Sequence, residues 1–392
     1  MRDSGSTKST FTKPGIEKLF GSSFTGGNRV NLLWKGGELF KEIFNSIARA
    51  KKVVCLEFYI FRDDETGGEL ARLLKKKARE GVHIYILYDH FGSLGTPREF
   101  WAELKRAGIN VRGSRPFRWT APLHYAHRDH KKLIIIDGAK AFTGGLNIAN
   151  EYRGYRLIAR RLRRREGWRD TGIMLEGPIA GKMLDTFKKS WVIWGGEQII
   201  YEGMPVPEDT GLPVLPIFAS SARGRRKLRR LLYYSINHAG SSILLTTAYF
   251  TPSRRMLDIL SGAVKRGVVV KLLLPAESDI SAAHYAGRAS FTGLLKAGVE
   301  IYNYKGEILH AKTSVFDGCW SIIGSANLDF QSLRRNDEGN VGIIDEGFGR
   351  QMTDMFNEDL KQSIKIEMDQ WIKRDFCEKV KEKFFALFRR RL

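Results

Sequence analysis

The sequence has 392 residues, which is too long for one ordinary hydrophobic core and predicts two domains. Its 65 lysines and arginines outnumber 43 aspartates and glutamates, so the net charge of +22 would attract a polyanion, whether an anionic bilayer or nucleic acid. The three cysteines are widely separated and odd in number, which argues against a disulfide framework and favours a reducing compartment.

The N-terminal part of the sequence carries little apolar character. No stretch of the chain approaches the length of an apolar membrane span, and the first residues lack the core of a signal peptide. We therefore expect a protein that does not span a membrane. Residues 1–28 are rich in Ser, Thr, Gly and Lys, a composition typical of a mobile tail.

The first domain is expected over residues 29–200. Apolar residues at helical spacing from Leu39 to Ile47 predict a helix, and the run Val53–Phe61 predicts a buried strand. Further elements are predicted in the order helix 68–80, strand 83–88 and helix 100–107.

A polar pattern follows these elements, with the form H-x-K-x-x-x-x-D and then G-G-x-N. Its members are His130, Lys132, Asp137, Gly144, Gly145 and Asn147. The apolar run 133–136 ends in Asp-Gly, the strongest short signal for a turn between two strands. The histidine and the lysine, two residues apart, are therefore expected on one face of a strand.

The second domain, expected over residues 201–365, repeats this order. The predicted elements are helix 227–236, strand 242–250, helix 255–266, strand 268–274 and helix 290–297. The polar pattern then recurs in the same register, 180 residues later, as His310, Lys312, Asp317, Gly324, Ser325 and Asn327. Strands that alternate with helices predict an α/β fold with mixed, largely parallel sheets. The duplication predicts two domains packed on one another, with the two patterns meeting across a pseudo-twofold axis.

Residues 366–392 are expected to form an amphipathic basic helix. Phe376, Val380, Phe384 and Phe388 recur every four residues, and lysines and arginines occupy much of the remainder. Such a pattern is typical of an interfacial segment on an anionic bilayer, although the same face could pack on the second domain.

The duplicated residues suit a phosphate diester as substrate. A histidine can attack phosphorus, a lysine and an asparagine can bind the non-bridging oxygens, and glycines let the backbone approach. The alternative is that Asp-Gly is only turn chemistry and the histidines are edge-strand residues. That alternative weakens when the whole set occurs twice.

Other polar residues need separate interpretation. His124, His127 and His130 are spaced by three, but no cysteine or carboxylate pattern completes a metal site, so no metal is predicted. Dense basic runs, 153–165 and 223–230, are either solvated surfaces or binding sites for anionic headgroups. Glu57 interrupts an apolar strand, where it is either a partner for a site lysine or histidine or part of a core salt bridge.

The paired motifs resemble those of the phospholipase D superfamily, in which two copies converge on one active site. More narrowly, the segments 56–61, 144–152, 168–171 and 336–340 resemble the bacterial cardiolipin synthases of that superfamily, in a short form without N-terminal transmembrane spans. Two positions depart from the usual pattern. Gly145 stands where serine is usual, and Ala248 precedes Tyr249 where proline is usual.

This resemblance implies two tandem phospholipase D-like α/β domains and a phosphatidyl transferase. One histidine, expected to be His130, would attack the phospholipid phosphorus while His310 protonates the leaving alcohol. Lys132, Lys312, Asn147 and Asn327 would hold the phosphoryl oxygens, and Asp137 and Asp317 would orient the histidines or their hairpins.

The implied reaction joins two phosphatidylglycerol molecules into cardiolipin with release of glycerol, without metal or other cofactor. A peripheral position on the cytoplasmic side of the cell membrane and action as a monomer are expected, with no nucleic-acid partner. The alternatives are a phospholipase that uses water as acceptor, an endonuclease with the same motifs, and a basic membrane scaffold with a vestigial site.

Overall fold

A computed structural model of the protein describes residues 11–117, 127–158, 161–164, 167–203 and 211–389. Within these ranges the chain alternates strands and helices, as the sequence predicts. The strands are β1 Thr25–Leu33, β2 Val53–Phe58, β3 His83–Asp89, β4 Asn110–Ser114, β5 Leu133–Ile136, β6 Lys140–Gly144, β7 Tyr155–Ile158, β8 Arg161–Arg164, β9 Gly172–Glu176, β10 Leu212–Ala219, β11 Ser242–Thr246, β12 Val269–Pro275, β13 Glu300–Tyr304, β14 Thr313–Phe316, β15 Trp320–Gly324, β16 Glu338–Ile344 and β17 Ser363–Lys365. The helices are α1 Lys13–Phe20, α2 Gly36–Ala48, α3 Glu65–Arg79, α4 Arg98–Arg106, α5 Asn150–Arg153, α6 Pro178–Ile193, α7 Ala222–His238, α8 Arg254–Lys265, α9 Ser281–Arg288, α10 Phe291–Lys296, α11 Phe330–Arg334, α12 Glu346–Lys361, α13 Met368–Ile372 and α14 Phe376–Ala386.

Fifteen of the described strands form one continuous sheet, in the order β17-β13-β12-β11-β14-β15-β16-β10-β1-β9-β6-β5-β2-β3-β4. The two halves of the chain meet where β1 pairs with β9 on one side and with β10 on the other. The order on either side of this junction is nearly a mirror image, which is the structural record of the internal duplication. The mixed α/β fold built by duplication is confirmed.

The expectation of largely parallel strands is wrong. The parallel pairs in the described sheet are β2 with β3, β3 with β4, β11 with β12, and β12 with β13, while the remaining neighbours are antiparallel. The helices α3, α4 and α8, together with α9 and α10, provide the crossovers that these four parallel pairs need. The strands of the motif hairpins and the central strands pair antiparallel, and these antiparallel pairs outnumber the parallel ones.

The central strands of each half, such as β2, β5 and β14, bury both faces, so each half is layered. In β2, Val53 and Cys55 belong to a central apolar cluster, whereas Val54 and Leu56 belong to an outer cluster with α2 and α3. The central cluster also contains α6, α12 and the inward residues of the second half. The shared central layer explains why the two halves pack as one body.

Residues 11–28 do not behave as the expected mobile tail. Phe11, Ile16 and Phe20 are at most 5% exposed and pack into the outer cluster of the second half. Thr12 caps α1 by accepting a hydrogen bond from the Gly15 amide at 3.3 Å. The tail prediction is therefore wrong for these residues, because their few apolar side chains find a core, and residues 1–10 lie outside the described ranges.

The C-terminal region contains two short helices rather than one long one. Strand β17 adds to the sheet edge, and Trp371 of α13 is buried against Phe291 with ring centroids 5.3 Å apart. Asp375 then begins α14 by accepting a hydrogen bond from the Cys377 amide. None of the described helices is long and apolar enough to cross a membrane.

The two predicted hairpins, β5–β6 and β14–β15, are confirmed, and their turn aspartates bind backbone amides. Asp137 and Asp317 both adopt positive φ, near 51° and 52°, followed by a glycine of positive φ. The Asp137 carboxylate accepts hydrogen bonds from the amides of residues 51–53 at 2.7–2.9 Å. The Asp317 carboxylate accepts from the amides of residues 240–242 at 2.8–3.1 Å. Each aspartate thus fixes its hairpin to the start of the neighbouring strand.

Replacing Asp317 with alanine should lower the free energy of unfolding by about 1–3 kcal/mol at pH 7, because the hydrogen bonds to a charged acceptor are lost. Burial opposes ionisation of this carboxyl, but the bonds from residues 240–242 outweigh it and lower its pKa. A carboxylate with a lowered pKa stabilises the fold above its ordinary pKa, and the contribution is lost as the pH falls through the lowered value. The difference in urea unfolding between the wild type and the variant should therefore be full at neutral pH and should begin to shrink only as the pH falls below about 4.

The exposed Asp258 on α8 provides a matched control, since Asp258→Ala removes the same charge at a solvated position. Its effect should stay within about 0.5 kcal/mol. An Asp317→Ala protein as stable as the wild type at pH 7 would contradict the assigned role.

Candidate active site

The two histidine segments lie side by side because each one pairs with the other half of the chain. The His130 amide donates to the Asp337 carbonyl at 2.9 Å, and the Asp337 amide donates to the Arg128 carbonyl at 2.8 Å. On the other side of the axis, the His310 amide donates to the Arg169 carbonyl at 2.8 Å. These backbone bridges bring the two sequence motifs to one place.

Each histidine ring is held by a carboxylate from the opposite half. His130 Nδ1 lies 3.1 Å from a carboxylate oxygen of Glu338, and His310 Nδ1 lies 2.8 Å from Asp170 Oδ2. Both histidines are buried, at 8% and 3% exposure. Since Nδ1 is occupied in each ring, Nε2 is the nitrogen left for chemistry.

The two motif lysines are buried beside the histidines. Lys132 Nζ donates to the His130 carbonyl at 2.8 Å, and Lys312 Nζ donates to the His310 carbonyl. Burial lowers the pKa of Lys132 to about 7 and that of Lys312 to about 8, although nearby carboxylates raise both. A bound anion would favour the charged form of each lysine.

The pKa values of the histidines depend on charged groups from both halves of the chain. Burial lowers the pKa of His130 well below its ordinary value, and the charges of Lys132, Lys312 and His310 lower it further. Burial and Lys312 likewise lower the pKa of His310, and Asp170 opposes them. These shifts favour the neutral form of both rings at pH 7, which is the form required of a nucleophile or a general base.

Comparison with known proteins agrees with this geometry. The family described as "Cardiolipin synthase, PLD-like domain" matches residues 43–156 and 232–360, which contain both motifs. The chain is 31% identical over 367 residues to the probable cardiolipin synthase YwiE of Bacillus subtilis, covering 92% of this chain and 72% of that protein. The chain belongs to this family.

Two further comparisons extend the similarity. Cardiolipin synthase A of Pseudomonas fluorescens is 32% identical over 347 residues, covering 88% of this chain and 71% of that protein. Among solved structures, phosphatidylserine synthase of Haemophilus influenzae matches with a TM-score of 0.72 at 14% identity, covering 96% of this chain and 97% of that one. The structural match supports the duplicated fold.

The structure places the motif residues slightly differently from the prediction. His130, Lys132, His310 and Lys312 lie in extended chain just before β5 and β14, rather than on these strands. At His130 and His310 the backbone amide donates a hydrogen bond to the other half of the chain. Asp137 and Asp317 are not brought together with the histidines, because they lie in the turns at the far ends of the hairpins.

The motif asparagines bind neighbouring loops. Asn147 Oδ1 accepts from the Ile60 amide at 3.1 Å, and Asn147 Nδ2 donates to the Tyr152 hydroxyl at 2.8 Å. Asn327 Oδ1 accepts from the Thr247 hydroxyl at 3.2 Å. Both side chains thus position the loops that follow β2 and β11 beside the site.

Gly145, which stands where serine is usual, is explained by the space around it. A Cβ atom at this position would lie 2.1 Å from Asp170 Oδ1, so even alanine would displace the carboxylate that holds His310. At the equivalent position, Ser325 donates to Glu338 and accepts from the Gly339 amide at 3.0 Å. In the first half, glycine at this position therefore leaves room for the shorter side chain Asp170. In the second half, serine at the equivalent position hydrogen-bonds to the longer side chain Glu338. Gly144 and Gly324 are equally confined, since a Cβ would meet a backbone oxygen at 2.3–2.4 Å.

The sequence interpretation missed both carboxylates as site residues. Asp170 and Glu338 lie in the segments 168–171 and 336–340, which resemble the family, but their contacts cross between halves of the chain. An acidic residue at or just before the start of an apolar strand, at matching places in both halves, was the available signal. Aromatic rings were also missed: the centroids of Tyr59 and His130 are 5.1 Å apart, and those of Trp168 and His310 are 5.6 Å apart.

Glu57 forms a core salt bridge and does not contact a motif residue. Its carboxylate lies 2.7 Å from Lys131 Nζ, which also lies 3.0 Å from Asp129. All three side chains are almost fully buried. Burial raises the pKa of Glu57, and the positive charge of Lys131 opposes the shift.

The structure also shows the surroundings of His127 and of residues from the two basic runs. His127 Nδ1 contacts the Arg335 carbonyl at 2.9 Å, while His124 lies outside the described residues. Within the described ranges no group of three His, Cys, Asp or Glu side chains could hold a metal ion. From the basic runs, Arg153 pairs with Glu69, and Arg225 binds Asp337 at 2.9 Å.

We expect Asp170→Asn to lower the pKa of His310, because the variant removes the negative charge that stabilises the protonated ring at 2.8 Å. The ring nitrogens can be followed by NMR of histidine-labelled protein as the pH is decreased. Asp185→Asn, on the exposed surface of α6, changes the net charge equally and should leave His310 unaffected. An identical His310 titration in all three proteins would refute the contact.

Proposed function

We propose that this protein is a phosphatidyltransferase that makes cardiolipin from two phosphatidylglycerol molecules and releases glycerol. The observation that carries the proposal is the meeting of both histidines and both lysines in one buried centre, in a chain about one-third identical to cardiolipin synthases. Two imidazoles allow covalent catalysis with a separate proton carrier, and two lysines supply positive charge.

In the first step, Nε2 of His130 attacks the phosphorus of one phosphatidylglycerol. The anionic lipid favours the protonated form of His310, which takes up a proton when the lipid binds. The nitrogen–phosphorus bond then forms, the phosphorus–oxygen bond to the headgroup glycerol breaks, and His310 gives this proton to the departing oxygen. Lys132 and Lys312 bind the non-bridging oxygens, where a water-poor site makes charge stabilisation strong. Glu338 holds His130 in place while positive charge develops on its ring.

In the second step, a headgroup hydroxyl of another phosphatidylglycerol attacks the same phosphorus. Neutral His310 accepts the hydroxyl proton, the nitrogen–phosphorus bond breaks, and cardiolipin leaves. His310 is protonated again, so the cycle closes without net proton uptake. Asp170 stabilises the imidazolium that forms in this step. No group outside the chain and the two lipids is required.

Changing either histidine to alanine should lower cardiolipin formation from phosphatidylglycerol vesicles by at least about 10³-fold, because the two residues act as a unit. His310→Ala should accumulate a phosphatidyl adduct on His130, detectable by mass spectrometry, if the leaving group departs without an acid. His83→Ala, an exposed histidine at the start of β3, is the control and should retain activity.

The same assay separates the alternatives. Equal amounts of cardiolipin and glycerol support the transferase, whereas phosphatidic acid as the main product would indicate a phospholipase. Faster cleavage of DNA than of lipid would favour an endonuclease. An adduct on His310 would reverse the two roles, and substantial activity in either alanine variant would overturn the shared centre.

We also propose that the protein binds peripherally to an anionic membrane through α14 and the turn after it. One face of α14 packs on the body: Glu382 is 2% exposed and binds Arg288 at 3.0 Å and Arg374 at 2.7 Å. The opposite face is apolar and exposed, with its members Phe376, Val380, Phe384, Leu387 and Phe388 between 41% and 78% exposed. Unpaired apolar area flanked by basic residues suits an anionic bilayer.

Two loops carry further exposed apolar side chains that support membrane contact. Phe91 and Leu94, in the loop after β3, are 46% and 57% exposed. Ile280, in the matching loop after β12, is 43% exposed and follows Asp279, which accepts a hydrogen bond from Tyr249.

Attachment at the cytoplasmic face is consistent with three unpaired cysteines, and both motifs in one chain allow action as a monomer.

Replacing Phe384, Leu387 and Phe388 together with serine should weaken binding to phosphatidylglycerol vesicles at least tenfold, since burial of these side chains is lost. Activity should fall more on vesicles than on lipid dispersed in detergent. Vesicle flotation at two salt concentrations measures the effect, and the exposed Ile193→Ser on α6 is a control. Unchanged vesicle affinity in a folded triple variant would place the membrane contact elsewhere.

A further inference from the structure

A cavity lined by arginines lies outside the histidine centre, in the second half of the chain. It has a volume of about 310 Å³ and lies between α7, the start of α8, α11 and the end of the described C-terminal segment. Four arginines line it, namely Arg229, Arg254, Arg334 and Arg389. We call this cavity the arginine pocket.

The positive charge of the arginine pocket is poorly compensated. In the described part of the chain none of its four arginines forms a salt bridge, and Arg229 donates only to the Leu333 carbonyl, at 3.1 Å. Burial and the charge of Arg334 lower the pKa of Arg229. Asp329 is the acidic residue of the lining, and its carboxylate is occupied by the Ser332 amide at 2.7 Å. The pocket therefore favours an anion.

A buried hydroxyl group gives an independent indication of a ligand. Thr251 lines the pocket and is 3% exposed, yet its Oγ1 has no hydrogen-bond partner among the described residues. Buried polar groups without partners are rare because the lost hydration is not replaced. An acceptor oxygen in the pocket would supply the missing bond.

The walls between these polar groups are apolar. Tyr233, Pro252, Phe330 and Leu333 form them, so the cavity suits a phosphate that carries carbon chains. Its volume admits a glycerophosphate headgroup but not the acyl chains. Arg389 directly follows the exposed Phe388, which belongs to the apolar face proposed above to contact the membrane. In that position the acyl chains would remain in the bilayer while the headgroup enters the pocket.

The arginine pocket also lies close to the second motif, since Leu333 lines both this pocket and a small neighbouring cavity that Lys312 and Asn327 line. Asp329 follows the motif residue Asn327 by two positions, and its charge acts on the pKa of Lys312. The reaction proposed above needs two lipids, and the histidine centre holds the phosphorus of only one. The phosphate of the other lipid needs a cationic site nearby.

We propose that the arginine pocket binds the phosphodiester of the acceptor phosphatidylglycerol, with the Thr251 hydroxyl donating to a phosphate oxygen. The proposal rests on the transferase function. Arginine forms directed bonds to phosphate oxygens, so the pocket would fix the acceptor headgroup and orient its free hydroxyl toward the phosphorus held by His130.

Two activities of one preparation test the proposal. Cardiolipin formation uses a lipid acceptor, whereas exchange of labelled glycerol into phosphatidylglycerol uses only the histidine centre and a small alcohol. The double variant Arg254→Gln with Arg334→Gln should lower the ratio of cardiolipin formation to glycerol exchange about tenfold. Arg79→Gln with Arg350→Gln removes the same charge from exposed helix surfaces and should leave the ratio unchanged.

Thr251→Val provides a second variant, since valine has the shape of threonine without the hydroxyl. Because the Thr251 hydroxyl has no partner, its removal should leave the melting temperature unchanged or raise it. Because the hydroxyl is proposed to bind the acceptor phosphate, the ratio of cardiolipin formation to glycerol exchange should fall several-fold. The proposal would be overturned if the ratio of cardiolipin formation to glycerol exchange stays at the wild-type value in both pocket variants. This includes the case in which both activities fall equally.

Direct binding separates failure of this proposal from failure of the transferase function. Calorimetry should show that soluble glycerophosphoglycerol binds the wild type and binds the double arginine variant at least tenfold more weakly. Inorganic phosphate in place of the headgroup tests whether a free phosphate is the preferred ligand, which would overturn the assignment to lipid. If the wild type makes no cardiolipin, the transferase proposal fails, and equal headgroup affinity in both proteins would additionally reject the pocket.

Discussion

The contact between each histidine and a carboxylate from the opposite half organises this protein. His130 is held by Glu338 and His310 by Asp170, and the backbone bridges beside them run in the same crossed sense. Neither half alone contains a complete set of groups around its own histidine. The residues just before the carboxylates strengthen the junction: Arg169 binds Asp359 through two hydrogen bonds of 2.6–2.7 Å, and Asp337 pairs with Arg115 and Arg225. A duplicated chain thereby makes one asymmetric centre from two similar halves.

Burial of charge at this centre has a chemical consequence. Two lysines and two histidines lie where water is scarce, and their pKa values are lowered by that burial. Such a cluster is costly without an anion and is relieved when a phosphate diester binds between the cationic groups. The carboxyl of Glu338 shows the complementary effect, since burial raises its pKa to about 8 while Lys132 opposes the shift. Proton transfers in the site are therefore properties of the coupled cluster and not of single residues.

Much of this arrangement could be predicted from the sequence, because its signals are local. The repeated pattern located both histidines and lysines, and Asp-Gly identified both hairpins through the positive φ that these turns require. The features that could not be predicted depend on contacts between distant segments. Strand β1 joins the two halves through pairing on both of its edges, and α1 becomes ordered on a core formed more than 190 residues later in the chain, by residues such as Leu215 and Leu231. Asp170 and Glu338 act across the junction, so no spacing within one half reveals their partners.

The shared centre can be tested directly by a crystal structure of the protein soaked with vanadate, an oxyanion that can accept a nitrogen ligand. The account predicts one vanadate between the two Nε2 atoms, bonded to His130, with Lys132 and Lys312 contacting its oxygens. Two separate ions, one beside each histidine, or a single ion that contacts only one motif, would contradict a centre made by both halves of the chain.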